Sequence, residues 1–237
     1  MKKLLTLLAF IFPLFMVCQT VSLSEDRGFY DASFNLSLST DISGGTIRYT
    51  LDGTAPTTTT GQNYNIPFSI NTTTVVRAIA FSGATVSPVE TNTYIFLDDV
   101  VQQPANISGW PNSNYRLGRG SETATHDYEM DPNIVNDPAY STDIEQGLLS
   151  IPTISIVMDK DDFWTVYDGE VGLPGSIEVI YPDNSFPDEQ FDAELESHSH
   201  KRLKRSFKID INNTVSSNLL KTNPVPFSPP EYSRVVP

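Results

Sequence analysis

The sequence predicts a mainly β protein, in which an antiparallel β-sandwich is followed by an extended linker and an incomplete α+β segment. Between residues 19 and 98, short runs alternate apolar and polar residues with a period of two. This period is typical of strands with one buried face. Turn-forming residues separate the runs at close intervals, and no helical period interrupts them. Together these features predict one small sandwich over residues 19–98.

The clearest strand is "TIRYTL", in which Ile47, Tyr49 and Leu51 alternate with polar residues. The next pair, Asp52-Gly53, tolerates the positive φ angles of a tight turn. Pro56 cannot donate to a sheet, so the strand must end before it. We therefore expect one apolar face on this strand and a turn immediately after it.

Two further runs complete the predicted core. Phe34, Leu36 and Leu38 share one face of a run in "FNLSLS". In "TVVRAIAF" both faces are apolar, and we assign Val76, Ala78 and Ala80 to the interior. The opposite choice would bury Arg77.

The first 18 residues are typical of an export signal. Two lysines precede an apolar run that is too short for a comfortable membrane span. Cys18, the only cysteine, allows two interpretations: lipidation of Cys18, or ordinary cleavage near Gln19. Val17 fits the lipidation pattern poorly, which favours cleavage. We expect a secreted or cell-surface protein whose mature part contains no disulfide.

The charge restricts the partners. The formal net charge is -14 and the pI is about 4.4. An acidic surface argues against binding to nucleic acid or to an anionic membrane. Carbohydrate or cell-surface components stay open as partners, and the oligomeric state cannot be predicted.

The runs "IRYTLDGTAPT", "TVVRAIAFSGATVSPV" and "TYIF" resemble, in this order, the chitobiase/β-hexosaminidase C-terminal-type domain. The resemblance covers roughly 75 residues, which is the size of one sandwich. It implies an immunoglobulin-like fold and a secreted setting. It implies no catalytic residue, because that family is a module that accompanies enzymes.

Residues 99–150 form the predicted linker with short helices. Asp131-Pro132 and Asp137-Pro138 each place a capping acid before a proline that suits the first helical turn. We expect the second helix to be interrupted or ended at Gly147.

Residues 151–211 form the predicted α+β segment, with strands in "PTISIVM", "GSIEVIYPD" and "LKRSFKIDI". The order of these motifs after "DPNIVNDPAY" resembles the N-terminal part of a CotH-type atypical kinase. The resemblance implies that Lys204, on the basic strand, would face phosphate in a complete domain. The alternative interpretation is a charged strand that discourages edge pairing.

That family's acidic metal-binding motifs lie beyond the basic strand, whereas residues 212–237 are rich in proline and serine and predict a disordered tail. The kinase resemblance is therefore consistent with a truncated or frame-shifted open reading frame, and we expect no catalytic residue, metal or cofactor in this chain.

Other candidate sites have simpler explanations. Asp159, Asp161 and Asp162 lack the spacing of a calcium loop and fit a helix cap better. His198 and His200 share a strand face, but a zinc site needs further ligands. Four aromatic side chains could stack on sugar rings: Tyr49, Tyr64, Trp110 and Trp164. Tyr49 also fits a core position and Trp110 also fits a residue that only fixes the linker, so the sequence assigns none of the four to a binding site.

The sequence therefore predicts a secreted, non-catalytic accessory module that serves as a spacer, a display unit or a carbohydrate-associated sandwich. The alternative is the N-terminal part of a CotH-type kinase.

Overall fold

A computed structural model gives the fold of most of the chain. It describes residues 19–110, 114–116, 123–141, 143–169, 171–183, 185–198 and 206–211. Three predictions lie outside these residues: the export signal at 1–18 with Cys18, the basic residue Lys204, and the tail at 212–237.

Ten short strands make up the part of the chain up to Ile95. They are β1 (Val21–Leu23), β2 (Gly28–Phe29), β3 (Phe34–Leu36), β4 (Leu38–Thr40), β5 (Thr46–Thr50), β6 (Gln62–Asn63), β7 (Phe68–Ile70), β8 (Thr74–Ser82), β9 (Thr85–Val86) and β10 (Glu90–Ile95).

Helices and strands mix in the rest of the described chain. The elements are α1 (Leu97–Val101), β11 (Asn114–Arg116), β12 (Thr123–Thr125), α2 (Pro132–Val135), α3 (Ile144–Leu149), β13 (Thr153–Val157), α4 (Lys160–Asp168), β14 (Leu173–Ile180), β15 (Glu189–Ser197) and β16 (Phe207–Asp210). No helix among these is long and apolar enough to span a membrane.

The first ten strands form a β-sandwich, which confirms the predicted mainly β fold class. One layer is a sheet in the order β2-β10-β8-β5-β6, with β9 added beside β8. The other layer consists of two strand pairs, β1 with β4 and β3 with β7. All pairings are antiparallel except the short contact between β2 and β10.

The sandwich core lies between these layers. Val76, Ala78 and Ala80 of β8 are completely buried in it, as their alternation predicts. Leu36 and Ile70 reach the same core from the opposite layer. The core therefore draws on both layers and is continuous.

Two details of the predicted strands are wrong. Leu51 is 41% exposed, because β5 ends at Thr50 and the side chain of Asp52 already shapes the turn by accepting from Thr54 N at 3.1 Å. The run from Phe34 to Ser39 is two strands and not one. The chain changes partners at Ser37, so that β3 pairs with β7 and β4 pairs with β1.

The linker helices agree with the sequence in part. Asp131 caps α2 by accepting from Asn133 N at 2.9 Å, and Pro132 opens the helix. The expected stop at Gly147 is wrong, because α3 begins at Ile144 and continues through Gly147 to Leu149.

A second, fully antiparallel sheet follows in the order β13-β14-β15-β16. Helix α4 packs on one face, where Val166 meets Leu195 in a small buried cluster. Asp159 caps this helix by accepting from Asp161 N at 2.7 Å and Asp162 N at 3.2 Å.

The second sheet docks on β10, whose edge is only partly covered by β2. That pairing reaches only Tyr94 and Ile95 of β10. Thr91 and Thr93 donate their backbone N–H groups to side chains of the second sheet instead. The acceptors are Gln190 Oε1 and Glu178 Oε1, both at 3.1 Å. Two side chains therefore take the place of a missing neighbouring strand.

Arg77, which the sequence predicts on a polar face of β8, is buried instead. Arg77 is only 7% exposed, although its neighbours Val76 and Ala78 fill the core on the other face. Its Nε donates to Thr91 Oγ1 at 3.3 Å and its Nη1 to Gly53 O at 3.0 Å. The outer face of β8 is thus covered as well as the inner one.

The turn after β5 is a second point of close approach. Gly53 has φ +82°, and a Cβ added there would lie 2.6 Å from the carbonyl oxygen of Met158, directly after β13. Gly83 provides a matched site, with φ +60° and no atom within 4 Å of an added Cβ.

We expect Gly53→Ala to lower the free energy of unfolding more than Gly83→Ala does. Both variants carry the cost of a left-handed backbone, about 1–2 kcal/mol. Only Gly53→Ala also forces the turn and the Met158 backbone apart. Urea denaturation of the two variants measures the difference, and equal losses would show that the turn does not bear on the second sheet.

Candidate functional site

The structure separates the four aromatic candidates into two groups. Tyr49 stacks on Phe68 in the sandwich core, with ring centroids 4.5 Å apart and planes at 6°. Tyr64 packs against the same core. These two rings serve packing, so the expectation of a core position for Tyr49 is confirmed.

Trp110 and Trp164 come together in a second aromatic cluster outside the sandwich. The ring of Trp110 lies 5.8 Å from that of Trp164, 6.0 Å from Phe163 and 6.1 Å from Tyr128. Trp110 nevertheless stays 37% exposed. The cluster therefore holds one indole at the surface and supports it with three described rings that are steeply inclined to it.

A tight turn presents this indole. Trp110 N donates to Ile107 O at 3.0 Å, and Gly109 adopts φ +80°, a conformation that favours glycine. Lys160 Nζ, at the start of α4, donates to Gly109 O at 2.9 Å. The turn is thus fastened to the helix that also supplies Phe163 and Trp164.

An open depression lies on the same segment, immediately before the turn. Its volume is about 670 Å³. Its lining is mostly carboxylate and amide: Asp98, Asp99, Gln102, Gln103, Pro104, Asn106, Ile107 and Ser108. We call Trp110 together with this depression the Trp110 surface.

Hydrogen bonds join the segment that lines the depression to Tyr128, whose ring contacts Trp110, and to the sandwich. Gln103 Nε2 donates to Tyr128 O at 2.5 Å, and Tyr128 N donates to Ala105 O at 3.2 Å. Asp99 Oδ2 accepts from Thr73 N at 2.6 Å, which ties the depression to the sandwich. The surface is therefore supported from three sides before any ligand binds.

The chemistry of the Trp110 surface suits a sugar. The apolar face of an indole packs on the C–H groups of a pyranose ring, while amides and carboxylates can hydrogen-bond its hydroxyl groups. Burial raises the pKa of Tyr128, so its hydroxyl stays protonated and neutral at physiological pH.

The remaining sequence candidates do not form a site in the described chain. Among these residues, no group of three or more His, Cys, Asp or Glu side chains could hold a metal ion. His198 is exposed, and His200 lies outside the described residues. In the basic strand "LKRSFKIDI", Lys208 contacts Glu196 at 3.0 Å and Asp210 at 3.1 Å. Lys204 lies outside the described residues.

A buried charged cluster at the docking contact was not predicted. Glu178 is completely buried, with Oε1 3.5 Å from Arg27 Nη1 and Oε2 accepting from Thr93 Oγ1. Arg27 Nη2 also lies 3.0 Å from Glu90 Oε1. Only the long-range contact between β10 and the second sheet creates this cluster, so no local sequence signal marks it.

The buried cluster is structural. Burial raises the pKa of Glu178 above its ordinary value of 4.5, although hydrogen bonds from Thr93 and the charge of Arg27 act in the opposite direction. A perturbed carboxyl often marks an active site. Here the side chain has no solvent-accessible surface for a substrate to reach, so it holds β10 against the second sheet instead.

We expect the difference in stability between Glu178→Gln and the unaltered protein to depend on pH. A raised pKa means that folding favours the protonated carboxyl, so the contribution of Glu178 to stability falls as pH rises above its ordinary pKa. Glutamine stays neutral. The Gln variant should therefore gain in relative Tm between about pH 4 and about pH 7.

Thermal melts at both pH values measure this gain. Glu194→Gln, at an exposed position of the neighbouring strand β15, is the control and should show no comparable gain. A relative Tm of Glu178→Gln that falls as pH rises would mean that the charge of Arg27 lowers the pKa of Glu178 more than burial raises it.

Comparison with known proteins finds a similarity to one family, and it covers most of the sandwich. No curated protein matches the chain. The family model described as chitobiase/beta-hexosaminidase C-terminal domain matches residues 25–93. Those residues, which contain β2 to β9 and most of β10, are thus similar to a C-terminal domain of chitobiase and beta-hexosaminidase.

Proposed function

We propose that the protein is a non-catalytic, carbohydrate-associated accessory module of a larger extracellular architecture, and that it contacts glycans through the Trp110 surface. The observation that carries the proposal is one indole, 37% exposed and fixed on a supporting aromatic cluster. The turn that presents it also lines, through Ile107 and Ser108, a depression rich in amides and carboxylates. An exposed aromatic face with hydrogen-bonding groups at its side is the composition that sugar binding needs.

The family match supports the carbohydrate-associated part of this proposal. It covers most of the sandwich. Helix α1 and the segment that lines the depression come directly after the sandwich in the chain. Trp110 itself lies beyond the matched residues. In this proposal the sandwich is the rigid support, and the segment after it carries the contact surface.

Export is a further part of the proposal. It rests on the lysine-led apolar run at 1–18, which is followed at once by the strand-rich module. A module of this kind acts as a spacer or display unit at the cell surface or in the medium, where polysaccharides are accessible.

The alternative, an N-terminal part of a CotH-type kinase, rests on the order of motifs between Asp131 and Ile211. The family match ends at residue 93 and lends it no support. ATP consumption by the purified chain that disappears in Lys204→Ala would favour this alternative over the accessory module.

We expect the full chain to bind at least one polysaccharide in a panel, measured by its retardation in native gels that contain the polysaccharide. Trp110→Ala should reduce the binding roughly tenfold, because the main apolar contact is lost. Tyr140→Ala removes an aromatic side chain that is 50% exposed outside the Trp110 surface, so it should bind as the unaltered protein does. If no polysaccharide in the panel retards the protein more than it retards a non-binding reference protein, the proposal is contradicted.

A further inference from the structure

The aromatic cluster restricts the shape of a ligand. The planes of Tyr128, Phe163 and Trp164 are inclined to that of Trp110 by 69°, 58° and 73°. These rings support Trp110 from its sides and cannot extend its plane. A flat crystalline polysaccharide face needs several coplanar rings, and the cluster offers one among the rings that the structure describes.

Other exposed aromatic side chains do not supply the missing rings. In the described part of the chain they are Tyr140, in the segment between α2 and α3, and Phe186. Phe186 packs on Tyr181, after the end of β14, with ring centroids 5.3 Å apart. The Trp110 surface therefore stacks one sugar ring at a time.

The depression adds hydrogen-bonding capacity beside that single ring. Two of its amide side chains, Gln102 and Asn106, can donate to and accept from hydroxyl groups, while Gln103, whose Nε2 donates to Tyr128 O, can accept through its carbonyl oxygen. A volume of about 670 Å³ is within the range of sites for small molecules and leaves room for further sugar units.

Charge restricts the ligand further. Among the described residues, the depression is lined by two carboxylates, Asp98 and Asp99, and by no lysine or arginine. The ammonium of Lys160 lies near the turn but donates to Gly109 O. Uronate or sulfate groups would meet the two carboxylates of the depression, and the single ammonium of Lys160 is fewer in charge than these two.

We propose that the Trp110 surface binds one exposed pyranose ring of a soluble, neutral glycan chain, with neighbouring sugar units in the depression. This inference rests on the proposed function and adds the class of ligand: a single hydrated chain, neither a crystalline surface nor an anionic polysaccharide.

The two tryptophans of the chain allow a direct test. The full chain, labelled with ¹⁵N, gives one indole N–H signal from each tryptophan, and Trp110→Phe identifies that of Trp110. The probes are cellohexaose, maltohexaose and hexa-N-acetylchitohexaose as soluble neutral chains, hexagalacturonate as a soluble anionic chain, and microcrystalline cellulose as a flat insoluble surface.

We expect at least one neutral hexasaccharide to shift the Trp110 indole signal and to bind about tenfold or more tightly than hexagalacturonate. Microcrystalline cellulose should remove no more protein from solution than it removes of Trp110→Ala. Trp110→Phe keeps an aromatic ring and should retain part of the affinity, so a loss of binding in Trp110→Ala can be distinguished from a folding defect. Tyr140→Ala should match the unaltered protein.

The remaining results separate the two proposals. Neutral glycan binding that is unchanged in Trp110→Ala would overturn the site but leave the accessory function in place. Binding to hexagalacturonate or to microcrystalline cellulose as tight as to the neutral chains would overturn the ligand class. No binding to any glycan would overturn both proposals.

Discussion

The contact between β10 and the second sheet is the interaction on which the rest of the structure depends. Strand β10 leaves the backbone N–H groups of Thr91 and Thr93 without a strand to accept them, and Gln190 and Glu178 accept them instead. The chain leaves β10 through α1 toward Trp110, while α4, which supports the Trp110 ring, packs on the second sheet. The surface proposed to bind glycans exists only because both parts are held in one arrangement.

The chemistry of this contact favours specificity over strength. Burying Glu178 and Arg27 costs hydration free energy, which their separation of 3.5 Å and the bonds from Thr93 offset in part. An apolar contact would stabilise more per unit area but would tolerate sliding of one sheet over the other. Directional bonds to two specific backbone groups set a single register, and a rigid register is what a preorganised binding surface needs.

The parts of the fold that the sequence predicts are those that local alternation controls. The burial of Val76, Ala78 and Ala80 follows from an alternation with a period of two. The helix cap at Asp159 follows from a local pattern of aspartates at the start of a helix. Strand β15 was missed, although Phe191, Ala193 and Leu195 alternate with polar residues and their burial shows the same period. The burial of Arg77 and the meeting of Trp110 with Trp164 depend on docking between distant segments, which no local period encodes.

Amide hydrogen exchange at Thr91 and Thr93 tests the central claim, that side chains of the second sheet complete the edge of β10. We expect both amides to exchange slowly in the full chain. In a Glu178→Ala, Gln190→Ala double variant that still melts cooperatively, they should exchange much faster, while Val76 and Ala78 in the sandwich core stay protected. Fast exchange of Thr91 and Thr93 in the unaltered protein, or protection that survives the double substitution, would contradict the account.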